Sequence, residues 1–330
     1  MSIGRGASAS VSRVFGRGAS AVMRKEISDH FASRRIMILV SLIAVAGVSA
    51  IYVAGMTIRD TVAFAEDGAE FVFLRLFTTS GANLPPFTSF LGFLGPLVGL
   101  AVGFDAVNGE RARGTLSRIL SNPIHRDAVL NGKFLAGVFA VSIMLLSLTL
   151  LVAGMGLQLI GVPPTSEEMA RILAYTTLTI VYVSFWLAVS ILFSVYFRQA
   201  STSALAGIAV WLFASVFMPL IAGMAADAAV PLQENPTALE ILAHERIRQG
   251  ISRISPTALY YEAAASILSP HVRSLGLVLI EQIEGAVAGP LPLVQSILNI
   301  WPHATGLVAG TLVCFAVAYV GFMRQEIRAG

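Results

Sequence analysis

The sequence predicts an all-α polytopic membrane protein with six transmembrane helices, an N-terminal amphipathic interfacial helix and a helical extracytoplasmic segment between spans five and six. Three observations predict it. AVILMFWYC residues make up 56% of the 330 positions and charged residues only 12%, whereas a soluble domain carries about a quarter charged residues to cover its wet surface. Mean hydropathy is +0.77, and the apolar residues fall in long blocks rather than in periodic stripes. Six charge-free blocks reach the roughly 20 residues a helix needs to cross a hydrocarbon core of about 30 Å.

Residues 1–21 hold Arg5, Arg13 and Arg17 and no acid, which reads as a disordered basic tail; an organelle transit peptide has the same superficial composition. From 22 to 35, charge alternates with Met23, Ile27 and Phe31. Four-residue spacing puts those three on one helical face, so an amphipathic helix on the membrane surface is expected, with an ordinary soluble lead-in as the alternative. The expected spans are 36–58, 84–104, 134–162, 172–197, 200–223 and 303–323. Val48, Ser49 and Ala50 mimic a signal cleavage site, but the apolar run continues to Ile58, too long for a signal h-region.

Within the second span, Gly95, Gly99 and Gly103 recur every four residues, with Gly92 ahead of them. Such spacing lets helix backbones approach closely, although membrane helices tolerate glycine generally. Pro96 and Pro219 each remove a backbone donor, so a kink or an early stop is expected in spans two and five. In the loop 105–133, Leu116, Ile119 and Leu120 form one apolar face of a short helix ended by Asn122 and Pro123, after which Asp127 can cap the climb to span three. A greasy ridge in a charged loop suits docking into a groove on a soluble protein, or packing on lipid headgroups.

The outer segment 224–302 has structure of its own. Leu239 to Ser255 interleaves Leu242, Ile247, Ile251 and Ile254 with charge and is stopped by Pro256. Gly276 to Ala288 carries Glu281 and Glu284; it is too short to span and reads as an interfacial or re-entrant helix. A seventh span over Ser274–Trp301 is the competing assignment, and it would bury both carboxylates. Pro219, Glu281 and Glu284 together suggest an outer gate, against an inert cap on the helix ends.

Orientation follows from charge. With a cytoplasmic N-terminus, six spans leave 15 of 22 Lys and Arg inside: seven before Ile36, five between Asp105 and Lys133, Arg198, and Arg324 with Arg328. Six of 19 acidic residues share that side, so the inside nets +9 and the outside −6, as the positive-inside rule requires. Both termini are therefore expected in the cytoplasm. The basic pI is explained by sidedness rather than by nucleic acid.

Several function classes lose their required residues. The lone Cys314 allows no intramolecular disulfide and no cysteine metal cluster. The middles of the expected spans carry no Asp, Glu, Lys, Arg or His, whereas ion-coupled carriers need such a residue there. His244 and Glu245 lack the second histidine of a zinc motif, and Asn131–Gly132–Lys133 leads into Phe134 without the hydroxyl of a phosphate-binding loop. No catalytic, cofactor or metal site is expected in this chain, and any ATP with its Mg must be handled by partner subunits.

Glu110, Arg111, Gly114, Thr115, Leu116, then Leu120, Ser121, Pro123, Arg126, Gly132 and Lys133 resemble the E-R-x-x-G-T-L…L-S-x-P-x-x-R…G-K signature of ABC-2 type transporter permeases. The resemblance extends to Arg24, Lys25 and Glu26, to Ser255, Pro256, Leu259, Tyr260 and Glu262, and to Phe322 through Arg328, in order along nearly the whole chain. It looks closest to the subgroup that includes the permease of the nitrous-oxide-reductase maturation system.

The resemblance implies a six-helix subunit of the bacterial inner membrane that works as a homodimer over two ABC ATPase subunits, forming an export pathway. It assigns the coupling helix to Glu110 through Ser121, with Glu110, Arg111, Gly114, Thr115, Leu116, Ile119 and Leu120 as the ATPase-coupling residues. A mechanical device that remodels an extracytoplasmic partner protein would use the same loop, and a self-powered carrier is the third reading. The outer segment is long for a simple permease, and the apolar pathway residues suit lipids, peptides or amphiphilic drugs alike.

Overall fold

The computed structural model describes residues 20–62, 71–80, 84–116, 125–232, 236–270 and 290–325. Among these residues all regular structure is helical. Six helices are long and apolar enough to cross a membrane: Arg34–Arg59, Phe87–Ala112, Arg126–Ile160, Ser166–Tyr196, Ala200–Ala229 and Leu293–Arg324. In chain order, α1 covers 20–32, α2 is Arg34–Val62, α3 Val72–Thr78, α4 Phe87–Gly103 and α5 Asn108–Ala112. Then come α6 Arg126–Ile160, α7 Ser166–Tyr196, α8 Ala200–Leu212, α9 Met218–Ala229, α10 Ala238–Ser252, α11 Pro256–Leu268 and α12 Leu293–Arg324.

The fourth span, α7, is the hub. It starts on a capping box between Thr165 and Glu168, which satisfies two of the donors a helix start leaves bare. Glu168 Oε1 also accepts from the Phe73 backbone at 2.9 Å, tying α3 to the same point. Tyr175, Tyr182 and Trp186 are fully enclosed. Within its most apolar window 72% of α7 is buried, against 22% for the first and sixth spans and 17% for the fifth. The spans with bare faces have only lipid or another chain to cover them.

Small residues explain how α4 reaches α7. A Cβ added at Gly99 would stand 2.5 Å from the Val183 carbonyl oxygen, and one at Gly103 would stand 2.8 Å from the Ser190 Cβ. The freed space is used by Ser190 Oγ, which donates to Leu100 O at 2.8 Å. Gly95 faces Val183 and Gly92 faces the Tyr261 ring, so all four glycines meet other helices. Pro96 lies within an unbroken α4, without the early stop that sequence reasoning allowed.

In the fifth span the proline acts differently. A π-helical turn, Phe213–Phe217, joins α8 to α9, and Pro219 sits in the first turn of α9. Met218 N–H reaches back five residues to Phe213 O; in that register the next donor would serve Ala214 O, but Pro219 has none. Ser255 Oγ supplies it instead, donating to Ala214 O at 2.7 Å. The defect in one span thus becomes the anchor for the next segment.

Among the boundaries that differ from the sequence expectation, three helix starts stand out. α6, α7 and α12 begin at 126, 166 and 293, six to ten residues ahead of the expected spans: in α6 and α7 because Lys133, Glu168 and Arg171 continue the helices as enclosed, partnered charges, and in α12 because the helix runs through Pro302, with Ser296 and Ile300 buried ahead of it. The cap ahead of α6 is His125, with Asp127 in the first turn, rather than Asp127 itself. Pro256 does not merely stop a helix: Ser255 accepts from Thr257 N–H and α11 starts on Pro256. α11 is too short to span, yet Tyr260, Ala263, Ala264 and Ile267 are buried in the bundle, as a non-spanning helix at membrane depth must be. The expected helix Gly276–Ala288 lies outside the described residues.

Candidate functional site

The elbow after α4 is built by hydrogen bonds from the neighbouring hub. Ser194 Oγ, near the end of α7, accepts from the backbone N–H groups of Val107 at 2.9 Å and Asn108 at 3.2 Å. Those are donors that the start of α5 would otherwise leave bare. One turn on, Glu110 points inward, with 3% of its surface exposed. Its Oε1 accepts from Lys133 Nζ at 2.9 Å and from Lys25 Nζ at 3.2 Å. Lys133, itself 4% exposed, also donates to Glu26 at 2.8 Å, and Lys25 contacts Glu26 and Asp29 at 2.9 and 3.1 Å. Three helices, α1, α5 and α6, are thereby joined through one charge cluster.

The electrostatics are mutually supporting. Burial opposes the charged form of Glu26, but Lys133 and Lys25 outweigh it and hold the carboxyl below its ordinary range. Burial likewise works against Lys25 and is outweighed by Glu26, Asp29 and Glu110, so its ammonium is held above its usual value. His30, one turn along α1, has its imidazole pKa pushed down: burial, with Lys133 adding to it, outweighs the opposing pull of Glu26, Asp105 and Asp29.

Two further ties close the same end of the bundle. Arg35, at the start of α2, donates to Asp105 at 2.7 Å and stacks over the Phe104 ring at 4.9 Å. Gln325, just past α12, accepts from Arg111 at its side-chain oxygen, accepts from Arg126 at its backbone oxygen at 3.2 Å, and donates to Val195 O at 2.7 Å. The α4–α6 connection, the N-terminal helix and the end of the last helix therefore share one face of the protein.

The opposite end holds a second polar constellation. Tyr260 of α11 donates to the Tyr175 hydroxyl at 2.9 Å and lies 3.2 Å from Thr179 Oγ1, while its ring stacks on Tyr182 with centroids 4.3 Å apart. Tyr182 donates to Gly92 O at 2.9 Å and lies 3.1 Å from Thr257 Oγ1. Glu262 binds His303 Nε2 and Arg253 Nε, each at 2.8 Å; these partners overcome burial and lower its carboxyl pKa. Arg171 is enclosed at the start of α7, held by Glu167 at 2.9 Å, Ile267 O at 2.8 Å, Ser296 Oγ at 3.2 Å and Leu291 O.

A family model described as ABC-2 family transporter protein matches residues 20–327. The chain belongs to the ABC-2 transporter family. It is 29% identical over 147 residues to a probable ABC transporter permease protein NosY of Stutzerimonas stutzeri, covering 42% of this chain and 48% of that protein. It is 32% identical over 114 residues to a protein of the same description from Pseudomonas aeruginosa, covering 34% and 36%. The chain thus spans about half the length, or less, of the curated relatives it matches.

With the ABC-2 signature located, its residues divide. Glu110 and Leu116 face inward, Arg111 and Thr115 are half-buried, and Gly114 is exposed. Gly114 has φ +66°, the left-handed region that a side chain disfavours, and Thr115 Oγ1 folds back to donate to Glu110 O at 3.2 Å. Leu116 corrects the ridge expectation: it is 2% exposed and belongs to this chain's own core, so it is not offered to a partner. Ile119 and Leu120 lie outside the described residues, as do Glu281 and Glu284 of the expected gate.

Pro219 lines a cavity with Arg248, Ser255, Thr257 and Glu262. On α1, Val22 and Glu26 are the buried face, while Met23 and Ile27 are half-buried and Phe31 is exposed, the side left for lipid. Sequence reasoning missed the cluster in which Lys25 and Lys133 each bond both Glu26 and Glu110. All four fall in the resembling motifs, yet spacing alone gives no hint that residues 107 apart touch.

Proposed function

We propose that this ABC-2 protein is the membrane-spanning subunit of an ATP-driven exporter in the bacterial inner membrane, with both termini cytoplasmic. Two copies form the substrate pathway, and two separate ATPase subunits bind ATP and Mg and dock beneath the 105–133 connection. The observation that carries this reading is the enclosed Glu110–Lys133–Glu26 cluster. A push on the connection by an ATPase reaches α5 first, and buried ion pairs, which cost about 3–5 kcal/mol to break one-sidedly, pass it to α1 and α6 as one body.

The test is reconstitution with ATPase subunits in liposomes. Ile119→Asp is expected to leave insertion intact and to detach or uncouple the ATPase; full substrate-linked turnover with undiminished co-purification would overturn the assignment. A second reading, remodelling of an extracytoplasmic protein, is favoured by α10, none of whose residues is buried and whose Leu239 is exposed. Capture of such a protein in stoichiometric complex, with no solute-stimulated ATPase, would select it.

A further inference from the structure

The charge cluster has a neighbour. Beside it a polar pocket of about 140 Å³ is lined by Lys25, Asp29, Arg35, Asp105, Glu110 and Arg113, among others. Directly below runs an apolar cleft of about 400 Å³ between α2, α4 and α6, which shares His30, Ile36 and Val102 with the pocket. Its volume falls in the roughly 300–1,000 Å³ range of small-molecule sites. Phe31, Met37 and Leu151 are exposed at its margin, so it opens sideways, toward lipid.

The dimensions select the occupant. Lining residues on α6 run from Ala140 to Leu151, about 16 Å at about 1.5 Å per residue, or about half the roughly 30 Å hydrocarbon core. The cleft is one leaflet deep, with its polar end at the headgroup level. The pocket's own charges balance, Lys25, Arg35, Arg113 and Lys133 against Glu26, Asp29, Asp105 and Glu110, which favours a headgroup of no net charge.

Two groups there lack partners. Glu110 Oε2 is buried without a hydrogen bond, an acceptor whose isolation is costly unless a donor arrives. Arg113, three residues on, has no carboxylate partner among the described residues. A carboxylate and a guanidinium about one helical turn apart match the ammonium and phosphate of an aminoethyl phosphate group.

We infer that this cleft and pocket hold one phosphatidylethanolamine-type phospholipid of the leaflet on the N-terminal side, its acyl chain between α2 and α6, its ammonium toward Glu110 and its phosphate toward Arg113. The lipid completes the side of the charge cluster that the protein leaves open, and it lies against the elbow proposed to receive the ATPase. The site stands on the chain alone and does not depend on ATP or on any partner.

The full-length protein is exchanged into bilayer discs of equimolar phosphatidylethanolamine and phosphatidylglycerol, and retained lipid is read by native mass spectrometry. One retained lipid per chain is expected, with roughly tenfold preference for the ethanolamine headgroup, the value of one charge-assisted hydrogen bond. Ser147→Trp, which fills the cleft, should abolish retention, while Leu146→Trp, exposed next to it and outside the lining, should not. Glu110→Gln, which removes the carboxylate facing the ammonium, should erase the headgroup preference, while Arg113→Ala, facing the phosphate that both lipids carry, should lower retention of both without erasing it.

Equal loss in both tryptophan variants, or no headgroup preference in the wild type, overturns the assignment. Should Ser147→Trp fail to fold, an ethanolamine lipid with a photoreactive acyl chain replaces it. Labelling confined to the lining helices α1, α2, α4 and α6 supports the site, and labelling spread over all spans refutes it. These readouts need no ATPase, so a failed lipid test leaves the transporter reading standing, and an uncoupled ATPase leaves the lipid site standing.

Discussion

Replacing Lys133 by Met removes the enclosed charge that two buried carboxylates share and leaves them only the exposed Lys25. Lys133 bonds Glu26 at 2.8 Å and Glu110 at 2.9 Å, with side-chain exposures of 4%, 10% and 4% for the three. Breaking a buried pair from one side costs about 3–5 kcal/mol, because the stranded charge has no water to return to. A typical domain has only about 5–15 kcal/mol in total, so the loss is readily measured.

Glu110→Gln alone should cost less, since Lys133 keeps Glu26. Combining the two removes both ends of one pair, and the loss should fall short of the sum by about 0.5–3 kcal/mol. The assay is denaturant or thermal unfolding of the purified chain in one fixed detergent, run as a double-mutant cycle. Additivity within the error of the cycle would mean the contact contributes no coupling, and the mechanical link from α5 to α6 would lose its basis.

Further expectations follow from other contacts. Ser255→Ala strands Ala214 O, a loss of about 1–3 kcal/mol readable as a lower unfolding midpoint, whereas an unchanged midpoint would mean water satisfies that carbonyl. Gly99→Ala forces a methyl to within 2.5 Å of Val183 O and should destabilise clearly; a neutral result would show α4 and α7 free to part. His30 has its pKa lowered by burial, so the unfolded chain takes up a proton first as pH drops through about 6.5 and stability declines there. His30→Gln should flatten that part of the stability profile, and an unchanged slope counts against it. Glu26, lowered by its lysines despite burial, contributes stability above about pH 4.3 that is lost as pH falls through its folded pKa, so Glu26→Gln and wild type should converge in acid. Tags near Gly109 and after Arg328 should report cytoplasm and one near Glu234 the outside; cytoplasmic labelling at Glu234 contradicts the six-span topology.

The spans were legible because a bilayer imposes a length and a solvent that few other sequences satisfy, and the Gly95–Gly99–Gly103 spacing was legible because it follows the helical repeat. Other features hid for physical reasons. A scan for charge-free windows cuts a helix at Lys133 or Arg171, although a paired charge continues it. Pro256 reads equally as a stop and as a first helical residue, and only the Ser255 cap decides. The π-helical turn before Pro219 leaves no compositional trace. At the elbow, the motif marked Glu110 and Leu116 as important without saying which way they face, because inward packing depends on α1 and α6, which are remote in sequence.

The central claim, that an ATPase subunit docks at the exposed turn following α5, is tested most directly by crosslinking at Gly114. Gly114→Cys, in a Cys314→Ser background, would be paired with single cysteines around the groove of a co-expressed ABC ATPase and oxidised in membranes. The account predicts a specific disulfide there that arrests ATP turnover until reduced, and none from a cysteine at Leu239 on α10. Crosslinking from Leu239 but not from Gly114, or turnover unaffected by a fully formed Gly114 crosslink, would contradict it.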